Sequence, residues 1–226
     1  MKIAVRGGHC PKATGASALI DELTEDRKVK DSVIKYLKQL GHEVLDVTPP
    51  DSTNTSSSDL AYGVNKANEW GADLFVSIHF NNAYSSYNGA LGSEVCVYSN
   101  FDIAQRVVDG LGSLGFKNRG QKARTGLYEL KNTKMKSMII EVCFVEATED
   151  VALYKKLGAD SIGKNIAESI ANKKIQSAPA ITNPVGEEIY YRVIAGSFSN
   201  RDNAEKRKKE IEEKGFTGVF LEVFRK

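Results

Sequence analysis

Asp73-Leu-Phe-Val-Ser-Ile-His79-Phe-Asn-Asn82 is a short apolar run that ends on a histidine and a polar cluster. A bounded run of that length ahead of polar residues is what a covered sheet strand produces. In open α/β sheets ligands sit in the crevice beyond the carboxyl ends of the strands, so His79 is placed to face that crevice. Two other stretches repeat the arrangement. Residues 1–6, Met-Lys-Ile-Ala-Val-Arg, read as a strand that runs into Gly7, Gly8 and His9. Residues 137–144, Ser-Met-Ile-Ile-Glu-Val-Cys-Phe, carry Glu141 where a core strand should be apolar. Three strands thus each bring one chemically useful side chain, and together they suggest a site.

The intervening chain alternates strands with helices. Val29, Val33, Leu37 and Leu40 fall on one face of a helix over residues 21–40, which Gly41 stops. Residues 42–47 read as a strand and 48–58 as a polar loop, with Ser58 capping a helix that continues to Trp70. A loop over 81–91 holds Tyr84 and Tyr87, residues 92–99 alternate as a strand, and 101–114 are helical. Residues 117–124 form a basic loop, and a long helix over 148–171 carries Ile162, Ile166 and Ile170 at fourfold spacing. This rhythm predicts an α/β fold with a mostly parallel sheet covered by helices on both faces. The expected division is a domain over 1–173, a linker over 174–187 rich in Pro, Ser and Gly, and a small βαβ unit over 188–226. Within that unit the strands are expected at 189–195 and 216–224 and the helix at 200–214. About forty residues are too few to bury a full core alone.

Composition sets further bounds. With 41% hydrophobic and 27% charged residues, the 226-residue chain has an ordinary globular balance. Lys+Arg 31 against Asp+Glu 29 leaves a formal charge of +2, which argues against a duplex-nucleic-acid binder. No run approaches the length of a membrane span and the N-terminus lacks a secretory pattern. Synthesis in the cytoplasm without a signal peptide, and no membrane partner, are therefore expected. Cys10, Cys96 and Cys143 are odd in number and dispersed, which gives neither a disulfide framework nor a zinc knuckle. Cys96 and Cys143 read as reduced core thiols, whereas Cys10 beside His9 stays open.

Two imidazoles and one carboxylate, with the fourth position left to water, make the ligand set of a catalytic zinc ion. His9 and His79 supply the imidazoles. The carboxylate is expected from the start of the first helix, where Glu22, Glu25 and Asp26 share a side. Glu22 is favoured because it sits at the helix mouth beside the loop from His9, and Glu25 reads as a first-turn residue favoured by the helix dipole. Such a metal brings the pKa of its water toward about 7 and polarises a carbonyl. Glu141 is the candidate base that would take the water's proton and pass it to a leaving amine. A buried strand glutamate without such a role is costly. Blander readings stand beside these: His42 as a helix-end histidine, Glu22 as a solvated helix carboxylate, the 117–124 segment as a solvated loop or a steering surface for an acidic polymer, and Asn81 as a turn residue or a donor behind the site.

Gly8-His9, Glu22, Ser77-Ile-His-Phe-Asn81, Leu130-Lys-Asn-Thr133 and Ile140-Glu-Val-Cys-Phe144, in this order, resemble the zinc-dependent N-acetylmuramoyl-L-alanine amidases of the type 3 family. That family includes clostridial phage endolysins and bacterial autolysins, and the likeness spans residues 1–173. It implies a phosphorylase/hydrolase-like fold and hydrolysis of the amide between the lactyl group of N-acetylmuramic acid and L-alanine in peptidoglycan. Carried over by position, His9, Glu22 and His79 would hold Zn2+ and Glu141 would be the general base. Asn81, Tyr84 and Tyr87 are the candidate substrate-binding residues. The sequence departs from the family pattern at Cys10-Pro-Lys12 and at Cys143-Phe-Val-Glu146, and neither change removes a ligand.

The tail, around residues 191–204 and 214–219, resembles one half of a SPOR domain, a module that binds peptidoglycan glycan strands. Only one half is present, so two chains are expected to pair their tails in a homodimer; a truncated remnant that packs on its own catalytic domain or stays mobile is the competing reading. The implied partner is peptidoglycan, as polymeric substrate and as C-terminal ligand, and the implied place of action is the bacterial cell wall after release. Three other functions compete: a zinc peptidase acting on the stem peptide, a non-catalytic wall-binding protein, and a Cys10–His79 thiol hydrolase.

Overall fold

The structure, a computed structural model, describes residues 1–175, 195–216 and 219–223. The chain divides into two compact units, Met1–Gln176 and Ser177–Lys226. In the first, six strands form one sheet in the order β2-β1-β3-β6-β4-β5. These are β1 Lys2–Gly7, β2 Glu43–Asp46, β3 Leu74–Asn81, β4 Ser93–Val97, β5 Asn118–Ala123 and β6 Lys136–Phe144. The helices are α1 Glu22–Gln39, α2 Ser56–Trp70, α3 Asp102–Ser113, the short α4 Tyr128–Asn132 and α5 Thr148–Ala171. All pairings are parallel except β4 with β6.

Alternation along the strands gives the sheet two unlike faces. Ile3 and Val5 of β1, Val76 and Ile78 of β3, Met138 and Ile140 of β6 and Val95 and Val97 of β4 point one way into a single aliphatic core. Val29, Val33 and Leu37 of α1, Val107 and Leu111 of α3 and Ile162, Ile166 and Ile170 of α5 cover them. Each large side chain fully buried there stabilises the fold by about 1.5–3 kcal/mol, so this face anchors the domain. The other face is only thinly covered, by α2 through Ala67 and by α4 through Leu130. Its residues include Arg6, Ser77, His79, Glu94 and Glu141, and register sets them side by side: Arg6 pairs Ser77, His79 pairs Glu141, and Glu141 pairs Glu94. Glu141 interrupts an apolar strand because it lies on the face turned away from the aliphatic core, near the end of the sheet where β3 and β6 finish.

Local chemistry explains most element ends. Asp21 caps α1 by accepting from the Thr24 amide at 2.9 Å. The cap of α2 is Thr55 rather than Ser58; Ser58 is the third helical residue and closes a reciprocal capping box with it. The basic segment expected as a loop is instead edge strand β5, parallel to β4. An edge strand is paired on one side only and tolerates a polar sequence, which removed the apolar signal. α5 bends at Gly158, where φ is 75°.

In the second unit, α6 spans Arg201–Glu212 with Asn200 as its cap. Residues 189–194 of the expected first strand and nearly all of the 174–187 linker lie outside the described residues, and Ala195, Phe216 and residues 219–223 are not assigned to a strand. Among the described residues no helix is long and apolar enough to cross a membrane.

Candidate metal centre and active site

β1 ends at Gly7, and the chain turns sharply so that His9 falls back over the sheet with φ at 61°, a left-handed conformation unusual for a non-glycine residue. Arg27 of α1 holds this turn, donating from Nη1 to the Gly8 carbonyl at 2.5 Å and from Nη2 to the His9 carbonyl at 2.7 Å. Two glycines admit the close approach. A Cβ at Gly8 would overlap the His79 ring, and one at Gly15, where φ is 75°, would overlap the Glu22 carboxylate. The rings of His9 and His79 meet edge to face at 4.8 Å between centroids.

Glu22, in the first turn of α1, is almost fully buried between them. Its Oε1 lies 3.1 Å from His9 Nε2, 3.1 Å from His79 Nδ1, and accepts the Phe80 amide at 3.0 Å. Its Oε2 accepts the Ala16 amide at 2.7 Å. Among the described residues, His9, Glu22 and His79 are the group of side chains able to hold a metal ion, their ligand atoms all within 4.8 Å of one another. Burial pushes the Glu22 carboxyl up, but hydrogen bonds with His79 and His9 overcome it and hold the group well below the usual carboxylate range. His79 moves the other way, to about 9: burial opposes its charge, while Glu22, Glu141 and Glu129 favour it. A site that concentrates negative charge around two imidazoles is one prepared for a cation.

Glu141 sits beside this cluster, in register with His79. Its Oε2 is shielded from solvent and has no hydrogen-bond partner among the described residues, an acceptor beside His9, Glu22 and His79. Burial raises its carboxyl to about 7; His79 pulls it down, and Glu22, Glu94 and Glu129 push it further up. Glu94 receives Arg119 Nε at 2.7 Å and Asn81 Nδ2 at 3.2 Å, and Arg119 lies over the Phe144 ring.

The other residues singled out in the sequence fall as follows. Tyr84 and Tyr87 stack at 5.6 Å between centroids and are exposed. Tyr87, with Leu19, Ser85, Glu146 and Thr148, lines a cleft of about 370 Å³. Buried Glu146 shapes that loop by accepting the amides of Ala83 and Tyr84. Glu25 turns away from the cluster to accept the Tyr154 hydroxyl at 2.6 Å. Cys10 is buried and outside the ligand group, and burial pushes the Cys96 and Cys143 thiols up. His42 has a buried Nδ1 with no partner among the described residues, and burial lowers its pKa. The sequence does not single out Arg6, Asp59, Glu94 or Glu129. Glu94 shows the same signal as Glu141, a charge inside a strand, whereas the partners of Arg6 are 53 and 123 residues away along the chain.

Residues 3–172 match the N-acetylmuramoyl-L-alanine amidase family, and residues 167–226 match the SPOR domain. An uncharacterized protein of Clostridium perfringens is 50% identical over 182 residues, 78% of this chain and 53% of that protein. The amidase CwlM of Bacillus licheniformis is 28% identical over 98% of this chain and 85% of its own length. Among solved structures, the catalytic domain of the CD27L endolysin targeting Clostridia Difficile superposes with a TM-score of 0.70 at 31% identity, over 78% of this chain and 99% of that domain. The chain spans about half the length of the two Clostridium perfringens relatives it matches. By its matched residues and by its sheet, the chain belongs to the N-acetylmuramoyl-L-alanine amidase family.

Proposed function

We propose that the chain is a zinc-dependent amidase that cleaves the bond between the lactyl group of N-acetylmuramic acid and L-alanine in bacterial peptidoglycan. The observation that carries this reading is the convergence of His9, Glu22 and His79 beside Glu141. The donor set fits the ion: two imidazole nitrogens and a carboxylate oxygen on one point, with the approach kept open at Gly8 and Gly15. Bound there, zinc would supply a Lewis acid that activates water and polarises the scissile carbonyl.

The chain's own groups account for the proton. Glu141 takes it from the attacking water as the C–O bond forms, then delivers it to the alanine nitrogen as the C–N bond breaks. Its raised pKa serves both steps, since a base that is too weak would not accept the proton and one too strong would not release it. Tyr84 and Tyr87 offer a flat exposed surface for the substrate beyond the rim. The tail brings the wall glycan to the catalytic unit, and tail-to-tail pairing is checked by the light-scattering mass of the full chain: the proposal expects a dimer, and a monomer with the tail folded contradicts it.

Digestion of purified walls tests the reaction. New L-alanine amino termini and muramic acid with a free lactyl carboxyl are expected; new termini within the stem peptide would indicate a peptidase instead. The pH profile follows from Glu141, which must be ionised to act. Activity is expected to rise with pH along an acid limb at or below about pH 7, because a bound cation pulls the carboxyl down from its metal-free value. Glu94→Gln removes a neighbouring negative charge and should move that limb to lower pH. A limb that stays in place or moves up contradicts the assignment of Glu141.

A further inference from the structure

A buried polar chain leads away from His79 on the side opposite Glu22. Ser77 precedes His79 by two residues on β3 and shares its face, with its Oγ 3.1 Å from His79 Nε2. The same Oγ lies 3.2 Å from Glu129 Oε1, and Glu129 Oε2 is 3.9 Å from His79 Nε2. Glu129 is held by Arg6, whose Nη1 is 3.1 Å from Oε1. Arg6 is fully buried, and Asp59 Oδ2 fixes its Nη2 at 2.7 Å. Arg6 and Ser77 are register partners on neighbouring strands, so the sheet itself sets this spacing.

The hydrogens have one consistent arrangement. A carboxylate paired with a guanidinium accepts hydrogen bonds and does not donate them, so the single hydroxyl proton of Ser77 goes to Glu129. Ser77 Oγ then offers a lone pair to His79, which must present Nε2–H. While the ring is protonated, Nδ1–H donates to Glu22 Oε1; the ring that binds a metal keeps Nε2–H on Ser77 and offers its lone pair from Nδ1, on the side that faces Glu22. We propose that Glu129, anchored by Arg6 and acting through Ser77, is a positioning residue that fixes the Nε2–H tautomer of His79 and so makes Nδ1 the metal-ligating atom.

This inference rests on the zinc reading, and the test separates the two. Zinc affinity of the full chain is measured by competition with a chromophoric chelator for the unaltered protein, Ser77→Ala and Glu129→Gln. Loss of an outer hydrogen-bond partner typically costs about 10–100-fold in metal affinity, and that range is expected for both variants. The unaltered zinc-loaded protein is also examined by imidazole 15N–1H correlation. The chain has three histidines, and His42→Asn simplifies the assignment. His79 is expected with a protonated Nε2 and a metal-shifted Nδ1. A protonated Nδ1 overturns the proposal even if Glu129→Gln fails to fold, as does unchanged affinity in Ser77→Ala. Failure of the unaltered chain to bind zinc at all would instead refute the function proposed above.

Discussion

Glu141→Gln is expected to reduce wall hydrolysis by about 10²–10⁴-fold, the range that a positioned general base contributes, while zinc content and fold are retained. The substitution keeps the side chain's shape in β6 and removes its capacity to accept a proton. It also carries a stability signature. Burial raises the folded-state carboxyl from 4.5 to about 7. Such a group contributes fully below its unfolded pKa, and that contribution is lost as pH rises from about 4.5 through about 7. In the zinc-free protein, Glu141→Gln should therefore match the unaltered chain in acid and exceed its melting temperature at pH 8. Lost activity with gained stability is what a strained catalytic carboxylate produces. Unchanged turnover would remove Glu141 from the chemistry.

Removal of the metal should have an effect as large. Chelation is expected to bring wall hydrolysis to background and added zinc to restore it, since the ion would hold the reacting water. Alkylating agents should leave activity intact, because Cys10 is buried and outside the ligand group. The opposite pattern would support a thiol hydrolase. Glu22→Gln makes the same point from within the chain. One carboxylate oxygen serves both imidazoles and the Phe80 amide, and the other serves Ala16. An amide can accept at only one of these positions and sets an N–H against donors at the other. Zinc affinity should fall by more than the about 10–100-fold expected for an outer-shell partner. Retained affinity would indicate a different third ligand.

The strands that lead to His9 and carry His79 and Glu141 are legible because each is a short apolar run followed or broken by a residue that a buried strand does not need. That is a local signal, and the α1 register that brings Glu22 to the helix mouth is local too. What escapes the sequence is pairing at a distance. Arg6 looks like a strand's polar end until Asp59 and Glu129 are seen around it. β5 carries no apolar alternation because it closes the sheet edge, and the reversal of β4 against β6 follows from the path of its connections. The sequence points to a cap of α2 three residues late because Thr55 and Ser58 both bear hydroxyls, and only backbone conformation separates the cap from its reciprocal partner.

In this reading His9 from the turn after β1, Glu22 of α1 and His79 of β3 together hold one zinc ion. Crystals of the zinc-loaded chain, measured on both sides of the zinc absorption edge, test it most directly. A single anomalous peak in bonding contact with His9, Glu22 and His79 is expected. A chain that takes up zinc but shows no peak there, or shows it on other side chains, would contradict the account.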